Sequence, residues 1–64
     1  MSDQTYIDHA EAGRRAVFAK LIELQDRGVS TVASREQVAN YFRISLSRLA
    51  AIEREGLDKN WPPL

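Results

Sequence analysis

The sequence predicts an all-α fold in which one long amphipathic helix buttresses two shorter ones, with a short extended tail behind them. Three observations predict it. Over residues 5–27 the apolar positions Ile7, Ala10, Val17, Leu21 and Leu24 recur at steps of three, four and seven, the period of one helix face. Ser34 and Ser45 each head a short apolar-periodic stretch, where helix caps stand. The only prolines are Pro62 and Pro63, so nothing upstream of them breaks a helix.

The first helix is expected over residues 5–27, capped by Ser2 or Asp3, with Asp8 and Glu11 near its positive end. Gly13 costs about 1 kcal/mol relative to alanine, which makes the turns before it the weak end. Arg27 followed by Gly28 supplies a basic last turn and a C-terminal stop. Residues 29–33 read as a β-branched and small-residue connector. Ser34, with Gln37 three residues later, has the spacing of a capping box and opens a second helix to Phe42. Ser45 opens a third through Leu49 and Ile52 to Glu55, where Gly56 is expected to stop it and Leu57 to make the apolar closing contact. In the tail, residues 58–64, Trp61 is expected to fold back as a lid over the core.

The two short helices, joined by about three residues, form a helix-turn-helix pattern over residues 34–55. Ala39 falls where they cross, and a small side chain there lets the backbones approach. Ile44 plugs the turn, Leu49 and Ile52 face Val38, and Val17, Phe18, Leu21 and Leu24 of the long helix form the third wall.

The stretch Ser34-Arg35-Glu36-Gln37-Val38-Ala39, Phe42-Arg43-Ile44-Ser45, Arg48-Leu49, Ile52-Glu53 and Gly56-Leu57 resembles the promoter-reading helix-turn-helix of bacterial sigma factors, the region that recognises the −35 element. The resemblance covers a little over a third of the chain. It implies a bacterial transcription regulator acting on promoter DNA or on RNA polymerase. Two departures qualify what carries over. Arg43 stands where the family usually has glycine, so either Arg43 accepts a left-handed conformation or the turn is reshaped, at a cost of about 1 to 2 kcal/mol. On the outward face of the reading helix the family is polar and basic, whereas this chain has Leu46, Ser47, Ala50 and Ala51. Of the family's DNA contacts, Arg48 and, less closely, Ser47 match; Leu46, Ala50 and Ala51 do not.

Charge sharpens the contrast. With nine basic and nine acidic residues among 64, the chain has no net charge, while nucleic-acid affinity is chiefly phosphate neutralisation. Residues 34–55 carry four arginines against three glutamates, 4 − 3 = +1. A monomer of that charge binds DNA weakly at physiological salt, and a homodimer would double the phosphate contacts. Two mechanisms follow. In the first, Arg48, Ser47 and Arg54 enter a major groove while Arg35, Arg43 and Ser45 meet the backbone. In the second, Leu46, Ala50, Ala51 and Arg54 dock on a protein, a transcription factor or RNA polymerase, making the chain an antiactivator or anti-sigma-type regulator.

Other chemistry finds little support. Sixty-four residues make one domain with a modest core, too small for a large enzyme cleft. There is no cysteine and one histidine, and no phosphate loop, nucleophile elbow or metal-ligand spacing, so neither an enzyme nor a cofactor or metal site is expected. His9 reads as a solvated helix residue, Arg14 and Arg15 as charges paired with neighbouring acids rather than phosphate contacts beside the motif, and Tyr41 as a residue that either contacts the DNA backbone through its hydroxyl or rims the core. The start Met1-Ser2-Asp3-Gln4 has neither basic leader nor apolar run, so a cytoplasmic protein without a membrane segment is expected.

Overall fold

The computed structural model describes residues 9–64. Three helices follow in order, α1 (Glu11–Asp26), α2 (Thr31–Phe42) and α3 (Leu46–Lys59), and each packs against the other two. The fold is all-α. Among the described residues there is no strand, and no helix is long and apolar enough to cross a membrane.

Each helix ends by one device. The residue after the last turn adopts a left-handed conformation, and the next residue's N–H closes back on a carbonyl five residues earlier. After α1, Gly28 is at φ 92° and Val29 N–H donates to the Leu24 carbonyl at 3.1 Å. After α2, Arg43 is at φ 59° and Ile44 N–H reaches Ala39 at 3.0 Å. After α3, Asn60 is at φ 55° and Trp61 N–H reaches Gly56 at 3.0 Å. Of the two outcomes that the resemblance implied for the turn, Arg43 takes the left-handed one. It turns the chain sharply enough for Ser45 to cap α3 three residues after α2 ends, its hydroxyl accepting from Arg48 N–H at 2.9 Å.

The core is Val17, Phe18, Leu21, Val38, Ala39, Leu49, Ile52 and Trp61, flanked by Ile22, Leu24, Phe42 and Ile44. Trp61 is 1% exposed, so it is the lid expected of it. Its ring meets Phe18 edge to face at 6.0 Å, with Arg15 and Lys59 over its plane at 5.5 and 5.8 Å.

Four element boundaries differ from the sequence expectation. The first helix begins at Glu11, not before His9, because Ala10 is extended and its side chain offers no cap. The expected caps Ser2 and Asp3, with Ile7 and Asp8, lie outside the described residues. The second helix begins at Thr31 rather than after Ser34. Ser30 is its cap, accepting from Ala33 N–H at 3.1 Å, and Ser34 lies fully buried one turn in. There its hydroxyl donates to the Thr31 carbonyl at 2.9 Å and accepts from Gln25 of α1 at 3.1 Å, so the serine pins two helices together instead of starting one. The third helix runs through Gly56 to Lys59. A Cβ at residue 56 would overlap the Phe18 ring, so the glycine serves close helix approach and not termination. Finally, the tail turns instead of extending: Leu64 N–H donates to the Trp61 carbonyl at 3.0 Å.

Candidate functional site

Helix α3 has two unlike faces. Its inner face, Leu49, Ile52 and Gly56, is buried against α1 and α2. Its outer face carries Leu46, Ser47, Ala50, Ala51, Arg54 and Leu57, all exposed. Extending α3 to Lys59 brings Leu57 onto this face, one and two turns beyond Glu53 and Ala50. Starting α2 at Thr31 likewise puts Val32 on a helix opposite it. The result is a groove between α2 and α3 of about 570 Å³, floored by Val32, Leu46, Ala50 and Leu57 and rimmed by Arg35, Glu36, Glu53, Arg54 and Asp58. A second hollow of about 320 Å³ shares Glu36 and Leu46 and continues the groove to Ala39, Asn40 and Ile44.

The floor is apolar and open. Val32 is 66% exposed, Leu46 55% and Leu57 52%, three large side chains on one side of a small domain. The rim is charged, two arginines against three acids. Arg35 grips Glu53 through two bonds, Nε to Oε1 at 3.1 Å and Nη2 to Oε2 at 3.3 Å. Arg54, Glu36 and Asp58 have no ion pair among the described residues.

The residues named for DNA reading do not share one orientation. Arg35 and Arg54 lie on the groove rim, Arg35 already held by Glu53. Arg48 is half-buried, and its Nη2 contacts His9 Nδ1 at 3.2 Å, on the side of α3 away from the groove. Its Nε is shielded from water with no hydrogen-bond partner among the described residues. His9 itself is exposed but outside the helix in which it was expected. The Ser45 hydroxyl is spent on the cap, Ser47 is exposed, and Arg43 sits at the turn. Of the residues named for protein docking, Leu46, Ala50 and Arg54 line the groove together, while Ala51 is exposed beyond its edge.

Val32, Leu57 and Glu53 complete the groove and were not named as site residues from the sequence. Their signal was the spacing Leu46, Ala50, Glu53, Leu57, a helix stripe that a stop at Gly56 cuts short, and Val32 was hidden by reading residues 29–33 as a connector.

Behind the groove the charges are structural. Glu55 accepts from Arg14 at 2.8 and 3.0 Å and from Lys59 at 2.9 Å. The Arg14 bonds, reinforced by Lys59, lower the Glu55 carboxyl to about 2, and the same pairing raises Arg14. Among the described residues no cluster of His, Cys, Asp or Glu could hold a metal ion. No family model matches this chain, and neither a curated protein nor a solved structure does.

Proposed function

We propose that this chain is a small transcriptional regulator that binds another protein, a transcription factor or a subunit of RNA polymerase, through the α2–α3 groove. The resemblance of the corner to a promoter-reading element supplies the class of partner. The groove supplies the mode: an amphipathic helix presenting apolar residues at i, i+4 and i+11 would set them on Leu46, Ala50 and Leu57, with mixed charges meeting Arg54, Glu36 and Asp58. One observation carries the choice over DNA reading. The outer face of α3 is apolar at its centre, while Arg48 is turned toward His9 and Arg35 is tied to Glu53. Helices α2 and α3 with Arg43 between them carry four arginines and a lysine against three glutamates and an aspartate, 5 − 4 = +1, a thin basis for phosphate contact.

The test places a photo-crosslinking residue at position 46 and captures partners from the native host after nuclease treatment. The expected result is a protein adduct that persists without nucleic acid, is lost in Ala50→Glu and is unchanged in Arg48→Ala. Capture only of DNA, abolished by Arg48→Ala and indifferent to Ala50→Glu, would favour the first mechanism, in which Arg35, Arg43, Ser45, Ser47, Arg48 and Arg54 read a promoter.

A further inference from the structure

The stripe on α3 that floors the groove reads the same in both directions. Leu46, Ala50, Glu53 and Leu57 are separated by four, three and four residues. Two copies of α3 laid antiparallel about a two-fold axis midway between residues 51 and 52 therefore set Leu46 against Leu57 of the second copy, twice, and Ala50 against Glu53, twice. The match is chemical as well as geometric. The paired leucines are the two large exposed apolar side chains of α3, 55% and 52% exposed, and Ala50 has nothing beyond Cβ to hold the helices apart.

Glu53 does not spoil this contact. Its carboxylate already lies against Arg35, and its side chain is only 16% exposed. In the antiparallel arrangement Glu53 of the second copy lies level with Ala50, four residues or about 6 Å along the axis from Arg54. That is within reach of an arginine side chain, and Arg54 has no ion pair among the described residues. Each dimer would then hold two Arg35–Glu53–Arg54 bridges across the axis. A chain of zero net charge also meets no long-range repulsion from its own copy, and a domain this small gains stability from a partner.

We infer that a second copy of this chain fills the groove as an antiparallel α3–α3 dimer, and that this self-association regulates access to the docking surface proposed above, on which the regulatory part of the inference rests. The dimer buries Leu46, Ala50 and Leu57, so a partner protein binds the monomer and competes with dimerisation.

The absence of cysteine makes the register directly testable. Leu46→Cys and Leu57→Cys are made as separate variants and oxidised alone and mixed. The expected result is a disulfide-linked dimer that forms at least tenfold faster in the mixture than in either variant alone, because only the mixture brings residues 46 and 57 together. Sedimentation of the unmodified chain over about 10 to about 500 µM is expected to show mass rising from 7.3 kDa toward twice that value. Leu57→Glu should remain monomeric throughout with an unchanged helical spectrum, and Arg54→Glu should raise the midpoint concentration about tenfold. A constant 7.3 kDa over the whole range, or cross-linking no faster in the mixture than in the single variants, would overturn the inference. Neither experiment contains another protein, so its failure leaves the proposed function standing; failure of Ala50→Glu to disturb partner capture removes the proposed function and leaves the dimer.

Discussion

The two faces of α3 make opposite uses of apolar surface. On the inner face Gly56 lets the Phe18 ring occupy the space of a missing side chain, and Trp61 closes over it from the tail. On the outer face, Leu46 and Leu57 stand half exposed around Ala50. The contrast teaches that burial in this chain is spent unevenly: one face of the helix makes the fold, and the other leaves its leucines uncovered, as the proposed intermolecular contact requires. Substitutions should therefore separate cleanly, those on the inner face costing stability and those on the outer face costing binding alone.

The largest effect should come from Phe18→Ala, which empties the centre of the inner face. A loss of about 3 to 5 kcal/mol is expected, enough to unfold most of a domain this small, read by chemical denaturation. Gly56→Ala reaches the same contact from the other side. Alanine normally improves a helix interior by about 1 kcal/mol, yet here its Cβ meets the Phe18 ring, and a net loss of about 1 to 3 kcal/mol is expected. A gain in stability would show that α1 and α3 are not closely packed there. Arg43→Gly should act in the opposite direction, raising stability by about 1 kcal/mol by relieving the left-handed turn residue. Leu57→Ser, on the outer face, should change stability by no more than about 0.5 kcal/mol while removing partner binding.

These positions also show how far the sequence could be read. Helix periodicity identified Val17, Phe18, Leu21, Leu49 and Ile52 as core, while a left-handed Arg43 was one of two outcomes that the family resemblance implied for the turn. Glycine and serine misled for a common reason. Gly56 has the composition of a helix stop, and Ser34 with Gln37 has the spacing of a cap, but each is a small residue needed where two helices approach closely. Local pattern cannot distinguish a small residue that ends a helix from one that permits a crossing, since the difference lies in Phe18 and Gln25 on another element. The groove inherited that ambiguity. Leu46, Ala50 and Arg54 were legible on one helix, whereas Val32 and Leu57 join them only once α2 starts at Thr31 and α3 continues to Lys59. Arg48 was read as outward from the family pattern, and only its contact with His9 shows it drawn the other way.

The smallest expected effect concerns the charges behind the helix. Because Glu55 is held near 2 against an ordinary 4.5 by Arg14 and Lys59, its pairing stabilises the fold fully above the ordinary carboxylate range. That contribution is lost as the pH falls from about 4.5 to about 2. Thermal melts across this interval should show Glu55→Gln with a shallower acid dependence than the native chain, and partner binding through the outer face should not follow the same variant.

The outer face as a protein-binding surface is tested most directly by the salt dependence of affinity, measured for the cross-linked partner once purified and for duplex DNA in parallel. For the partner the affinity should change by only a few-fold between about 50 and about 200 mM salt, with DNA binding weak throughout. A complex with DNA that is tight at low salt and loses about a thousandfold or more over the same interval would contradict the account.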